Sequence, residues 1–248
     1  MIIKSYLFPK TIILLYHRIA NVQDDPHLLS VKQKNFKKHI SYLKSNYQII
    51  PLDFLVENLK KNKVPKKSVV ITFDDGYVDN YYHALPILKG FNVPATIFAV
   101  SGKIGAKKPF YWDKETRKQD KGRPLTKREL IKLSKSRLIE IGSHTVNHLP
   151  LSNLNIKQQR GEILESKTVL ENIIKTKVKH FSYPFGTKND YNKQTIRIVK
   201  RGSFISACAN FRGMVTKRSD IYQLPRFIVR DWNLEEFKKN IGRFFTKY

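Results

Sequence analysis

Seven short runs of aliphatic and β-branched residues recur along this chain, separated by helix-like patterns. They are TIILLYH (11–17), SVVITF (68–73), PATIFAV (94–100), LIEIGS (138–143), VKHFSY (178–183), SFISACA (203–209) and YQLPRFIV (222–229). Between the first two, residues 34–45 set Phe36, Ile40 and Leu43 on one helical face, and Pro51 opens a second helix. Thr126 and Glu129 have the spacing of a capping box, and Asn155 caps a long helix ending near Lys175. Strands that alternate with helices pair in parallel. Strands apolar along their whole length belong to a sheet covered on both faces. The pattern predicts an α/β fold, a distorted TIM-like (β/α)7 barrel, with a doubly wound open sheet as the alternative. Nothing repetitive or linker-like divides the 248 residues, so a single domain over 1–248 is expected. Its core would run over about 11–232. A C-terminal amphipathic helix over 233–248 would carry Leu234, Phe237, Ile241 and Phe244 on one stripe.

A barrel of this kind places its chemistry where strands end and the following loops begin. Those ends carry His17, Asp74 with Asp75, His144 with His148, and Tyr183-Pro184-Phe185-Gly186. Two adjacent acids closing a buried strand repel each other and lose solvation, a cost that a bound cation removes. Read alone, Asp-Asp-Gly is also ordinary turn chemistry. In SHTVNH the two imidazoles lie four residues apart, so on a helical turn they share a face and can hold one ion. Position 145 is Thr rather than Glu, which excludes the H-E-x-x-H zinc-protease form. Two histidines and a carboxylate make a three-ligand set with an open fourth position.

TFDDG followed some 70 residues later by H-T-x-x-H resembles the polysaccharide deacetylase family, the NodB-homology or carbohydrate esterase family 4 enzymes. LLYHRI, KSNYQII, LPILKGFNVPATIFAV, EIGSHTVNH, FSYPFG and QLPRFIV follow the same order. The resemblance implies a metal-dependent hydrolase that removes an N-acetyl group from an N-acetylhexosamine. Asp74 would be the catalytic base, and Asp75, His144 and His148 would hold one divalent ion, Zn2+ first, with Co2+ or Ni2+ as alternatives. The backbone amide of Phe185, after Pro184 and Tyr183, would help hold the oxyanion. Two positions depart from the common pattern. No histidine follows His180, so the late L-x-H general acid is missing, and His17 is expected in that role, as in a subgroup of the family. Ser182 stands where many members carry an arginine that orients the base, a task expected of Arg226. Trp232 is expected to wall a sugar pocket or to pack in the core. His27, His39, His83 and His180 have no motif around them and read as structural or surface residues.

Charge narrows the substrate. Lys and Arg number 47 against 20 Asp and Glu, a net +27, which attracts polyanions. No aromatic-basic nucleic-acid module accompanies it, and no nucleic acid is expected as a partner. No run approaches the ~20 apolar residues of a membrane span, and no signal peptide is evident. Cys208 is the only cysteine. The expected substrate is a polyprenyl-phosphate-linked sugar precursor of lipopolysaccharide or another envelope glycan, and the expected location is the cytoplasm or the cytoplasmic membrane face. The basic last helix would lie on anionic lipid or pack on the core. An extracellular polysaccharide or peptidoglycan deacetylase is the alternative, and a non-catalytic glycan- or polyanion-binding barrel is the rival from another class.

Overall fold

The computed structural model describes residues 10–113, 116–117, 119 and 122–247. A parallel sheet organises them, in the order β10-β1-β5-β6-β7-β8-β9, with β4 added beside β5. The path strands are β1 (Thr11–Tyr16), β5 (Ser68–Phe73), β6 (Ala95–Ala99), β7 (Ile139–Ser143), β8 (His180–Ser182), β9 (Ser206–Cys208) and β10 (Phe227–Ile228). Short strands β2 (Arg18–Ile19) and β3 (Ser30–Val31) pair separately, and β4 spans Gln48–Ile49. The helices are α1 (Gln33–Asn46), α2 (Leu52–Lys60), α3 (Leu85–Phe91), α4 (Lys127–Ser134), α5 (Ile156–Arg160), α6 (Ser166–Ile174), α7 (Lys193–Arg201) and α8 (Leu234–Thr246). This is the expected curled (β/α)7 barrel. Every residue of β1, β5 and β6 is buried, as a sheet covered on both faces requires.

The last predicted strand, 222–229, is broken. Leu224 exchanges backbone hydrogen bonds with Ala207 and Ala209, beside β9, while Phe227 and Ile228 pair with β1. Pro225 stands between the two halves. Lacking an N–H, it cannot continue a ladder, so the chain steps from one edge of the sheet to the other there. That step nearly closes the barrel and turns Arg226 inward, where it is 1% exposed.

The capping box at Thr126 and Glu129 starts α4. Asn155 caps α5, and a π-helical turn over Gly161–Glu165 joins α5 to α6. The apolar stripe of α8 is spent on the core: Phe237 stacks on His39 at 3.8 Å and Phe244 on Phe227 at 3.9 Å. Among the described residues no helix is long and apolar enough to cross a membrane.

His39 ties α1, β1 and the entry to α8 together. Its Nε2–H donates to the Trp232 carbonyl at 2.8 Å, and its Nδ1 accepts from the Tyr16 hydroxyl at 3.4 Å. A neutral ring satisfies both contacts, and burial lowers its pKa from 6.5 to about 4. The unfolded chain therefore binds a proton below pH 6.5 that the folded chain refuses until about pH 4. Stability falls as the pH drops through that window and levels off below it. In urea titrations across pH 4–7, His39→Gln is expected to flatten this slope relative to wild type; equal slopes would contradict the assignment.

Candidate active site

The site is assembled at the ends of β1, β5, β7 and β8. Past Phe73, the Asp74 N–H still pairs with the Tyr16 carbonyl at 3.0 Å, so its position is fixed by the sheet. Asp75 and Gly76 then take left-handed φ of 73° and 76°, which turns the chain and brings both carboxylates to one side. At Gly76 a Cβ would come within 3.2 Å of the Ala99 backbone. Adjacent strand residues ordinarily face opposite ways; the left-handed pair is what overrides that rule here.

The SHTVNH segment is not the helical turn the spacing suggested. It is a loop, with Thr145 and His148 at φ of 65° and 59°. Glu162 organises it: one carboxylate oxygen accepts from the Val146 and Asn147 amides at 3.0 and 2.8 Å, and the other from Asn147 Nδ2 at 2.6 Å. Glu162 sits in the π-helical turn between α5 and α6, a local irregularity of the kind often found beside functional sites. No spacing rule revealed this residue.

The loop directs both imidazoles at one carboxylate oxygen. His144 Nδ1–H donates to the Ser182 carbonyl at 2.8 Å, which leaves the Nε2 lone pair facing the site. Nε2 of His144 and of His148 lie 3.6 and 3.5 Å from Asp75 Oδ1. That oxygen is buried and has no hydrogen-bond partner. Burial, then the charges of Asp74 and Asp113, push the Asp75 carboxyl well above the usual range, while burial pulls His148 well below. A divalent ion among the three groups reverses both penalties. The donor set of two imidazoles and one carboxylate, all three buried, fits zinc or a neighbouring transition ion.

Arg226 reaches Asp74 from 152 residues away in sequence. Its two terminal nitrogens donate to the two carboxylate oxygens at 2.8 and 2.7 Å, and Nε donates to the Ala209 carbonyl. Ser182 Oγ donates to Asp74 Oδ2 at 3.1 Å and accepts from Arg226 at 2.9 Å. Burial raises the Asp74 carboxyl, but the Arg226 guanidinium, helped by His144, outweighs it and holds the group below the ordinary range. Arg226 thus contacts both Asp74 and the Ser182 hydroxyl.

His17, just past β1, opens on the same cavity of about 580 Å³ as Asp74, Asp75, His144, His148 and Phe185. Burial lowers its pKa to about 4, with Asp74 opposing the shift. Phe185 holds a left-handed φ of 59°, sets its ring 4.9 Å from His148, and donates no backbone hydrogen bond among the described residues. Three expected residues lie elsewhere. Tyr183 stacks on Tyr191 at 4.0 Å and gives its hydroxyl to the Tyr222 carbonyl, away from the cavity. Pro184 is buried beside it and does not line the cavity. Trp232 lies against Phe244 of α8 and lines a neighbouring cavity. The indole that walls the site belongs to Trp112, 4.6 Å from His148 and held by Nε1–H donation to the Tyr77 hydroxyl. The aromatic run Phe110-Tyr111-Trp112 was the available signal. His27, read as structural or surface, also lines this cavity, and His83 instead contacts the Ile19 carbonyl.

Comparison with known proteins bears on the family and the fold. The profile of the polysaccharide deacetylase family matches residues 61–202. The chain is 31% identical over 226 residues to YxkH of Bacillus subtilis (strain 168), covering 90% of this chain and 73% of that one. It is 30% identical to the poly-β-1,6-N-acetyl-D-glucosamine N-deacetylase of Staphylococcus aureus (strain MRSA252), over 88% of this chain and 74% of that one. In fold it is similar to IcaB from Ammonifex degensii, with a TM-score of 0.77 at 19% identity, over 96% of this chain and 98% of that one. It is also similar to the deacetylase PplD of Streptococcus pyogenes, with a TM-score of 0.76 at 24% identity, over 93% of this chain and 97% of that one.

Proposed function

The chain belongs to the polysaccharide deacetylase family, a family of metal-dependent hydrolases of C–N amide bonds, and from that premise we propose how its own residues divide the work. Asp75, His144 and His148 hold one divalent ion, with Zn2+ as the first choice. When bound, such an ion supplies Lewis acidity toward the acetamide carbonyl and makes water a better nucleophile near neutral pH. Asp74, clamped through both oxygens by Arg226, stands beside the ligands and takes the proton of the attacking water. Because the clamp keeps Asp74 ionised, it is always ready to accept, and its orientation rather than its basicity supports the reaction. The free Phe185 amide donates to the oxyanion as it develops. His17 returns a proton to the departing amine. Neutral at rest, its imidazole takes over the proton that Asp74 accepted from the water and passes it to the amine, which returns Asp74 to its ionised form. The single observation that carries this reading is the buried, unpartnered Asp75 Oδ1 facing two imidazole nitrogens beside an arginine-locked Asp74.

For the substrate, a polymer of N-acetylglucosamine is the first reading, since relatives 30% identical carry that substrate in their names. A polyprenyl-phosphate-linked N-acetylhexosamine, used at the cytoplasmic membrane face, is the second. It is supported by a cavity of about 250 Å³ next to the site, sharing Asn210, Ile228 and Arg230 with it. Arg212, Arg230 and Arg243 line that cavity and no acidic residue does, so a phosphate beside the sugar would be matched there. Acetate release should be measured on β-1,6-linked N-acetylglucosamine oligomers and on a polyprenyl-phosphate-linked N-acetylglucosamine. Turnover of the lipid-linked sugar alone would select the second reading, and turnover of the oligomer alone the first. In the same assay His17→Ala is expected to keep its metal and slow by ~10²–10⁴-fold. Full activity would remove His17 from the reaction.

A further inference from the structure

We propose that the barrel carries a second transition-metal site, at the end of the sheet opposite the catalytic one, formed by His180, Glu140 and Asp53. Glu140 lies in β7 four residues before His144, a separation of ~13 Å along an extended strand. His180 opens β8, two residues before Ser182, which contacts Asp74. The same two strands therefore carry groups of both sites, one at each end. Asp53 comes from the first turn of α2.

His180 is fully buried, and its Nε2 has no hydrogen-bond partner. Glu140 Oε2, 3.2 Å away, is likewise buried without a partner. The two atoms are within reach of each other, yet the ring nitrogen is not aimed at that oxygen. Asp53 Oδ1 stands 3.8 Å from the same Nε2. Nε2 thus has a carboxylate oxygen of each residue within 4 Å, and one ligand atom from each of the three side chains lies within 4.8 Å of the others. Donors around an ion at ~2.1 Å are ~3–3.4 Å apart, close to the observed spacing. The catalytic trio shows the same signature, with an orphaned Asp75 Oδ1 and separations of 3.5 and 3.6 Å.

Neighbouring groups hold the donors in place. His180 Nδ1 lies 2.7 Å from Ser206 Oγ on β9. Donation from Nδ1–H to that hydroxyl leaves the Nε2 lone pair for an ion, as the Ser182 carbonyl does for His144. Lys179 Nζ donates to Asp53 Oδ2 at 2.6 Å, which fixes the carboxylate with Oδ1 toward His180. A cavity of about 180 Å³ bordered by Asp53, Arg137 and Glu140 gives access. Lys179 and Arg137 weaken the attraction for any cation, so charge alone does not suffice. The nitrogen donor favours zinc, nickel or cobalt over magnesium or calcium. Such an ion would clamp α2 to β7 and β8 and would not touch the substrate.

The test is zinc stoichiometry of the full chain, measured by elemental analysis after chelator stripping, reloading and dialysis. Wild type is expected to hold two equivalents. Asp75→Ala should keep one, at His180. Glu140→Gln and His180→Ala should each keep one, at the catalytic site, and Glu140→Gln should release acetate at the wild-type rate. Wild type holding one equivalent, Asp75→Ala holding none, or Glu140→Gln still holding two would overturn the proposal. If Asp75→Ala holds none, His180, Glu140 and Asp53 meet without an ion.

Discussion

Asp74→Asn is expected to keep the ion at Asp75, His144 and His148 and to lose acetate release by ~10²–10⁴-fold or more. The side chain is nearly isosteric, and the ligand loop does not depend on it: Glu162 and the Ser182 carbonyl hold that loop independently. What disappears is the acceptor for the water's proton. The substitution also opposes an amide NH2 to the Arg226 guanidinium, which donates to both Asp74 oxygens. Arg226 is 1% exposed, and a buried charge deprived of its partner costs about 3–5 kcal/mol. A lower Tm is therefore part of the expected result, and activity should be read well below it, together with metal content. A variant that is folded, metal-loaded and fully active would place the base elsewhere. Arg226→Gln supplies a complementary outcome: Asp74 keeps its carboxylate but loses its clamp, so turnover falls while the ion remains.

Asp75→Ala is expected to remove the catalytic equivalent of metal and reduce acetate release to the uncatalysed level. Asp75 Oδ1 is the shared vertex of the site, facing both imidazoles. Losing it leaves two neutral ligands with no charge to match a dication. His144→Ala should behave alike, because the Ser182 carbonyl that fixes its tautomer cannot orient another group. Without metal, the stability change runs the other way. Burial and the neighbouring Asp74 charge make an ionised Asp75 unfavourable, so Asp75→Ala without metal should be no less stable than metal-stripped wild type. Zinc should raise the Tm of Glu140→Gln, whose only remaining site is catalytic, and should not do so when Asp75→Ala is added. Loss of activity with the catalytic equivalent retained would mean that Asp75 acts in the chemistry rather than as a ligand.

The elements that carry the site were legible because each is local. Strand runs, the Asp-Asp pair and the His-x3-His spacing can be read within a few residues, and a parallel barrel brings strand ends together by rule. What was not legible depends on contacts between distant segments. Glu162 braces a loop 16 residues earlier, and nothing in its helix-like surroundings marks it. The two tryptophans could not be told apart by type. α8 packs its stripe against β10 and draws Trp232 to that side, while the Phe110–Trp112 turn faces the ligands. The helical reading of SHTVNH failed because Glu162 satisfies amides that a helix would have used, allowing two left-handed residues. Arg226 was inferred from a missing arginine at position 182. The break at Pro225 that aims it inward was in the sequence, but was read as continuous strand.

The account rests on a metal-dependent amide hydrolysis, and acetate release from an N-acetylglucosamine oligomer tests it most directly. Protein loaded with zinc should release acetate, chelator-stripped protein should not, and restoring zinc, cobalt or nickel should restore the rate. Release that is indifferent to the chelator, or no release from any metal-loaded form on oligomeric or lipid-linked substrate, would contradict it.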